Sequence, residues 1–251
     1  MLGVNSRMKG SCMAFLGEEE RESKNITTGA GEVDKKMGGG IPSGSLTLIE
    51  GQSDAGKSVL TQQMIWGSLG AGCRVTLYTS ESTVKSLMKQ MNSLGLDVLD
   101  YLLLDRLRVY PIQMMQSDVD LEFALKIVAQ ALQKETETDM IIIDSLTAFV
   151  THVSLESTIE FFEICKNLCN EGQTIIIVTH SYAFNENMLV RVRSMCDAHL
   201  SLTIEQLGDK LLKSMEVSKI RGATRTTDNI VAFEVEPGFG MRIIPVSKAK
   251  A

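Results

Sequence analysis

From Leu46 onward, short runs of apolar and β-branched residues alternate with longer stretches in which apolar residues recur at helical spacing. This order is typical of βαβ units that build a mostly parallel sheet with helices on both faces. Residues 140–143 are apolar without interruption, which predicts a central strand covered on both faces. The predicted strands are 46–50, 75–79, 107–109, 140–143 and 174–179, and the predicted helices are 57–69, 83–94, 119–134 and 155–170.

After about Ala198 the pattern changes to a period of two residues, which is typical of strands with one covered face. The segments 199–204, 213–220 and 229–235 show this period, and Pro237-Gly238 marks a turn before residues 241–245. The complete pattern therefore predicts an α/β fold with a mostly parallel central sheet and an antiparallel C-terminal extension.

Composition and length fit a cytoplasmic protein with one large domain. The chain has 251 residues, 44% of them hydrophobic, and a net charge of −6 that disfavours a surface built for nucleic acid or anionic lipid. Its five scattered cysteines have no C-x-x-C spacing, and no apolar run is long enough for a signal or membrane segment. Residues 1–25, with the charged run 18–22, are predicted to be a mobile N-terminal arm, and residues 26–251 a single domain.

A glycine-rich motif directly follows the first predicted strand and directly precedes a predicted helix. It satisfies G-x-x-x-x-G-K-[ST], the pattern of a phosphate loop whose backbone N–H groups face the phosphates of a nucleotide. Lys57 is expected to reach the β- and γ-phosphates of ATP, and the Ser58 hydroxyl to bind Mg²⁺. The predicted nucleotide-binding residues are Gly51, Gln52, Ser53, Asp54, Ala55, Gly56, Lys57, Ser58 and Val59.

Asp144 follows the apolar strand 140–143, at the edge where ligand crevices open in parallel sheets. An aspartate there can simply begin a loop, since Asp is common in turns. Together with the upstream phosphate loop, it is identified as a Walker B aspartate that binds Mg²⁺ through water.

Two further residues follow predicted strands at the same edge. Glu81 lies just past strand 75–79, where P-loop ATPases with an additional strand carry the glutamate that activates the attacking water. Its alternative role is a favourable charge at the N-terminus of the next helix. His180 could sense the γ-phosphate, or it could be a structural residue at a strand end.

Several motifs around the phosphate loop are similar to those of KaiC-like domains of the RecA superfamily. They are Thr28-Gly29 with Asp34, the run from Gly38 to Leu46, the K-x-R-G motif 219–222 and the Pro237–Gly240 turn, so the resemblance spans about 26–245. It implies a RecA-like P-loop fold, Mg-ATP binding and a homo-oligomeric ring. It also implies that Lys219 and Arg221 contact the γ-phosphate bound by a neighbouring subunit. Their alternative role is that of solvated cations at a strand end.

Within that family, the Gly-Lys-Ser-Val-Leu segment and residues 81–86 resemble the accessory ATP-binding proteins of the archaellum, the archaeal flagellum. This resemblance implies docking on the motor ATPase FlaI and other archaellum components, with membrane association only through partners. KaiC-type domains usually carry two adjacent glutamates after the second strand, whereas Ser82 follows Glu81 here. Slow or absent hydrolysis, and hence a nucleotide switch, is therefore expected.

Two alternative functions stay open at this point. A RecA- or RadB-like DNA-dependent ATPase needs basic loops, but residues 145–157 contain no Lys or Arg, and Arg191 with Arg193 form the only such pair in the segment directly after His180. A KaiC-like autokinase needs acceptor hydroxyls across a subunit boundary, which sequence alone does not locate.

Overall fold

The computed structural model describes residues 25–112, 120–207, 210–225 and 230–244. These residues form an α/β fold around a sheet with the strand order β3-β2-β4-β5-β1-β6-β7-β8-β9. The strands are β1 (Leu46–Gly51), β2 (Val75–Thr79), β3 (Leu107–Pro111), β4 (Met140–Asp144), β5 (Thr174–His180), β6 (Ala198–Leu207), β7 (Lys210–Ile220), β8 (Ile230–Glu236) and β9 (Gly240–Ile243). The helices are α1 (Gly31–Lys36), α2 (Lys57–Gly70), α3 (Val84–Ser93), α4 (Leu99–Leu103), α5 (Leu121–Gln133), α6 (Thr147–Val150), α7 (Leu155–Asn170) and α8 (Glu186–Met195).

The sheet has a parallel part and an antiparallel part, as the change of period predicts. Strands β1 to β6 pair in parallel, and β6 to β9 pair antiparallel. The apolar strand β4 lies between β2 and β5 and is buried along its whole length, so the predicted central strand is confirmed.

Helices cover both faces of the sheet, as predicted, and each layer closes its own apolar core. Alternate residues of β1 show the division, because Ile49 packs with Leu60 and Met64 of α2, whereas Leu48 packs on the opposite face with Phe161 of α7. The parallel arrangement brings the carboxyl ends of β1, β2, β4 and β5 to one edge, where Thr79 is level with Asp144. Candidate site residues at the ends of different strands therefore meet there.

Some elements and boundaries differ from the sequence pattern. The helices α1, α4 and α6 have 6, 5 and 4 residues, too short to show a helical period over two turns. Thr83 and Asp120, predicted inside helices, instead cap α3 and α5, because each side chain accepts hydrogen bonds from the first-turn N–H groups. Helix α8 buries only Met188 and Val192, which left its apolar stripe too narrow to recognise.

Parts of several predictions lie outside the described residues. They include the N-terminal arm up to residue 24, the start of the predicted helix at 119, the start of the predicted strand at 229, and the end of the predicted strand and of the predicted domain from residue 245. In the described part of the chain, none of the helices has the length and apolar character that crossing a bilayer requires.

Candidate functional site

The phosphate loop joins the end of β1 to the start of α2, and two of its glycines are required by close contacts. A Cβ atom at Gly51 would lie 2.3 Å from the Leu202 carbonyl oxygen on the neighbouring strand. Gly56 has a φ of 99°, and a Cβ there would lie 3.0 Å from the Phe233 ring. The loop therefore follows a path that only glycine permits at these positions, as expected for a backbone curled around a phosphate.

The antiparallel strands hold the loop from outside. The Lys213 ammonium donates to the Asp54 carbonyl oxygen at 2.5 Å, and the Ile204 N–H donates to Gln52 Oε1 at 3.1 Å. Sequence reasoning did not identify Lys213 or Ile204, because these contacts depend on how β6 and β7 align with a loop more than 150 residues earlier. The C-terminal extension is thus part of the site.

Lys57 is buried inside this loop. Its ammonium donates to the carbonyl oxygens of Gly51 at 3.1 Å and Gln52 at 2.7 Å. Burial lowers the pKa of Lys57, while the nearby charges of Glu81 and Asp144 raise it. Two neutral carbonyl oxygens therefore hold the ammonium. The charged oxygens of a phosphate are stronger acceptors and can replace them.

Asp144 ends β4 beside the start of α2, and 9% of its surface is exposed. Thr61 Oγ1 donates to Asp144 Oδ2 at 3.4 Å, and Ser58 lines the same cavity as the carboxylate. Burial raises the pKa of Asp144 to about 6, the Glu81 charge adds to this, and the nearby Ser58 hydroxyl opposes it. Thr61 was not predicted, although its position one helical turn after Ser58 could have suggested it.

The second oxygen of this carboxylate fits a cation site. Among the described residues, Asp144 Oδ1 is buried without a hydrogen-bond partner. An unpartnered buried carboxylate oxygen is costly unless a cation or water satisfies it, and hydroxyl and carboxylate oxygens are what Mg²⁺ prefers. Ser58 and Asp144 are therefore the residues that would hold Mg²⁺, which would supply positive charge to the phosphates of a bound nucleotide.

Glu81 lies at the same edge as the phosphate loop. The N–H groups of Glu81 and Ser82 donate to Thr79 Oγ1 at 3.3 and 3.2 Å, which turns the chain sharply after β2. A cavity of about 200 Å³ opens here, and its lining includes Ser58, Glu81, Ser82 and Asp144. The structure thus brings the predicted base and the predicted metal ligands to one cavity, while the catalytic role of Glu81 stays a prediction.

His180 ends β5 and faces the same edge. Its Nδ1 lies 3.2 Å from Thr147 Oγ1 and 4.0 Å from Glu81 Oε1, and its ring stacks on Tyr182 with centroids 5.2 Å apart. Burial and then the Lys57 charge lower the pKa of His180, which favours the neutral ring. A neutral imidazole bonded to Thr147 can orient a polar group near Glu81, and the sensor role stays a prediction.

Comparison with known proteins assigns the family. The family model described as "ATPase: KaiC" matches residues 26–248, a range that includes every helix and strand of the structure. The chain belongs to the KaiC family of ATPases. Membership in the KaiC family implies nucleotide binding, usually with Mg²⁺.

Relatives similar to this chain include ATP-binding proteins of the archaeal flagellum. The chain is 28% identical over 228 residues to the archaeal flagellar ATP-binding protein FlaH of Sulfolobus acidocaldarius, covering 90% of this chain and 99% of the relative. It is 27% identical over 226 residues to FlaH of Methanocaldococcus jannaschii, covering 88% of this chain and 96% of the relative. The predicted resemblance to the archaellum branch is confirmed.

Solved structures agree with this placement. The crystal structure of the flagellar accessory protein FlaH from Methanocaldococcus jannaschii has a TM-score of 0.77 and 26% identity, covering 89% of this chain and all of that one. A KaiC-like protein from Pyrococcus horikoshii, with a TM-score of 0.70 and 18% identity, shares the fold. The predicted RecA-like fold class is therefore confirmed.

The K-x-R-G residues of this KaiC-family chain lie away from its own phosphate loop. Lys219 is level with His199 on β6, and His199 is level with Leu48 on β1. Leu48 precedes Gly51 by three residues, so Lys219 lies roughly 10 Å from the level of Gly51 along the strand direction. The Lys219 ammonium donates to the Arg193 carbonyl oxygen at 3.1 Å, and an Arg221 nitrogen lies 4.0 Å from Asp197 Oδ1. The structure does not bring these cations to the nucleotide site of the same chain. A role in a neighbouring subunit's site, which stays a prediction, requires this separation.

Proposed function

We propose that this protein is an ATP-dependent assembly or switching component of the archaellum motor complex that hydrolyses ATP slowly or not at all. Its Mg-ATP form favours a homo-oligomeric ring and docking on a partner. Family membership supports nucleotide binding, and the FlaH relatives support the archaellum assignment through the flagellar role in their names.

One observation carries the nucleotide part of this proposal. Lys57 is held by two carbonyl oxygens at the loop entrance, and the buried Asp144 presents an oxygen without a partner among the described residues. A cationic donor and an unsatisfied carboxylate at the start of α2 match the two charges of Mg-ATP that need partners, the γ-phosphate and the metal ion.

The switch, rather than motor, part of the proposal depends on the residues directly after β2. Of the two residues that follow Ser80, Glu81 supplies a carboxylate to the cavity, and Ser82 stands where KaiC-type domains usually have a second glutamate. General-base assistance is typically worth about 10²–10⁴ in rate, so a reduced base apparatus leaves binding intact while turnover becomes slow. A protein that binds ATP and keeps it can shift between two assembly states.

The proposed partners come from the branch of the family. We propose docking on the motor ATPase FlaI and other archaellum components, and membrane association through those partners alone. The ring is supported by Lys219 and Arg221, which lie too far from their own phosphate loop to contact ATP there. A nucleotide bridging two subunits makes assembly depend on ATP.

The structure weakens the DNA-dependent ATPase alternative. Arg193, half of the basic pair in the segment after His180, is engaged by the buried Glu50, which leaves Arg191 as the other member of the pair. One arginine in this segment is a small basic footprint for a protein that must contact several phosphates. No described contact favours the autokinase alternative.

The proposal is tested by purifying the full chain with and without Mg-ATP and measuring bound nucleotide, released phosphate and particle mass together. Bound ATP, slow phosphate release and a larger particle with ATP than with ADP are expected. Rapid release with no change in mass would contradict the switch.

A further inference from the structure

An ion pair with a buried carboxylate lies on the face of the sheet opposite to α2, directly behind the phosphate loop. Glu50 immediately precedes Gly51, and its side chain is 5% exposed. The carboxylate bonds the Arg193 guanidinium of α8 and lies 3.2 Å from His199 Nε2. Burial raises the pKa of Glu50, but the proximity of His199 and Arg193 outweighs burial and holds the pKa below its usual value. Glu50 is therefore ionised and tied to α8.

The same arginine has a second contact through its main chain. Arg193 lies in the last turn of α8, and its carbonyl oxygen accepts the hydrogen bond from the Lys219 ammonium at 3.1 Å. Carbonyl groups at the end of a helix lack helical partners and favour a cation. Arg193 thus connects the strand that carries the phosphate loop to the lysine that belongs to the candidate subunit interface.

The phosphate loop also contacts the start of the segment 181–193, which ends at Arg193. The Gly51 carbonyl oxygen accepts hydrogen bonds from Lys57 Nζ at 3.1 Å and from the Ser181 N–H at 3.0 Å. Ser181 begins the segment that leads into α8. A nucleotide that draws Lys57 to its phosphates removes one of the two bonds at Gly51, next to Glu50. Residues 181–193 therefore contact the phosphate-loop region at both ends, through Ser181 at Gly51 and through Arg193 at Glu50.

We propose that Arg193 is a positioning residue that couples the nucleotide in a subunit's own phosphate loop to the placement of Lys219. Lys219 has two arrangements, one on the Arg193 carbonyl and one extended toward the nucleotide of a neighbouring subunit. Through Arg193, nucleotide binding in one subunit changes the populations of these two Lys219 arrangements. By linkage, the neighbour's nucleotide changes the ATP affinity of the first subunit's phosphate loop. This inference rests on the proposed function, because it specifies how ATP binding in one subunit reaches the next.

The test uses the full chain at a concentration where it is monomeric, so that a neighbour cannot shield Lys219. Burial and then the Arg221 charge lower the pKa of Lys219, which increases the share of its amine in the neutral form that acylating reagents attack. The acylation rate of Lys219 is measured by mass spectrometry with and without Mg²⁺ and a non-hydrolysable ATP analogue. Binding of the analogue is measured in parallel.

In the wild type, the analogue is expected to change the acylation rate of Lys219 by about fivefold or more, the lower end of usual coupling. Arg191→Ala, on the exposed side of the same helix, is the matched control and keeps this change. Arg193→Ala binds the analogue but loses the change. Glu50→Gln breaks the same link from the strand and also loses it, which covers the case in which Arg193→Ala fails to fold.

Three results overturn the inference, and they separate it from the function it rests on. Wild-type protein that binds the analogue without a change at Lys219 contradicts the coupling alone. An undiminished change in either Arg193→Ala or Glu50→Gln contradicts the route through this ion pair. Wild-type protein that binds no analogue contradicts the proposed function, and the coupling with it.

Discussion

Thr61 Oγ1 donates to Asp144 Oδ2 at 3.4 Å, while Oδ1 of the same carboxylate is buried without a partner among the described residues. The carboxylate is therefore oriented by α2 and incompletely satisfied. This arrangement favours the proton-bearing form until a cation arrives, and burial accordingly raises the pKa of Asp144 to about 6.

The first prediction concerns Asp144 and the affinity for Mg-ATP. Since Mg²⁺ needs the ionised carboxylate, Mg²⁺-dependent ATP binding should rise with pH through about 6 and level off above it. Asp144→Asn should bind ATP with little Mg²⁺ or pH dependence in this range. Titration calorimetry at a series of pH values checks this, and equal Mg²⁺ dependence in both proteins would contradict the metal assignment.

The second prediction concerns the stability of the nucleotide-free chain. A carboxyl whose folded pKa of about 6 exceeds its ordinary value of 3.8 binds its proton more tightly when folded, so stability falls as pH rises between those values. Asp144→Asn should therefore exceed the wild type in unfolding free energy at pH 7 by about 3 kcal/mol, and by little below pH 4. Urea unfolding in chelator measures the difference, and a constant gap across pH would argue against it.

The third prediction is that turnover lies well below the enzyme median of about 10 s⁻¹. If Glu81 is the base, Ser82→Glu should raise the rate of phosphate release, because it restores the second carboxylate beside the cavity. The matched control is Glu81→Gln combined with Ser82→Glu, which should stay slow. Brisk release by the wild type would overturn the switch assignment.

The fourth prediction concerns assembly. Changing Lys219 and Arg221 to alanine should abolish ATP-dependent oligomerisation and spare ATP binding, because both cations lie away from their own phosphate loop. ADP should fail to drive assembly in the wild type, since it lacks the γ-phosphate that a neighbouring cation contacts. Light scattering checks both, and a double variant that assembles with ATP as the wild type does would refute the role.

The sequence pattern predicted the parallel core and the phosphate loop because both are local. The apolar run of β4 and the G-x-x-x-x-G-K-S motif each report their structure within a few residues. The short helices α4 and α6 gave no period, and the narrow stripe of α8 resembled a loop. Local patterns therefore predicted the layers of the fold and the parallel and antiparallel strands, but not the short helices that connect some of them.

Contacts that depend on strand register were out of reach of the sequence. Lys213 reaches the Asp54 carbonyl because β6 pairs with β1 and β7 with β6, and Arg193 of α8 reaches Glu50 across a similar gap; the partners in each pair are more than 140 residues apart along the chain. No local spacing marks such pairs. The candidate site could thus be predicted as a set of loop residues, whereas its support by the C-terminal strands could not.

The most direct test of the central claim is the ATP affinity of Lys57→Ala compared with that of the wild type. Lys57 supplies the charged donor of the loop, and a hydrogen bond to a charged group is worth about 1.5–3 kcal/mol, so affinity should fall roughly ten- to a hundredfold. Lys85→Ala, an exposed lysine at the start of α3, is the control and should bind as the wild type does. Equilibrium dialysis with Mg-ATP, beside urea unfolding to confirm the fold, should show tight binding by the wild type and weak binding by a folded Lys57→Ala. Equal binding by both folded proteins would contradict the assignment of this loop as the ATP site.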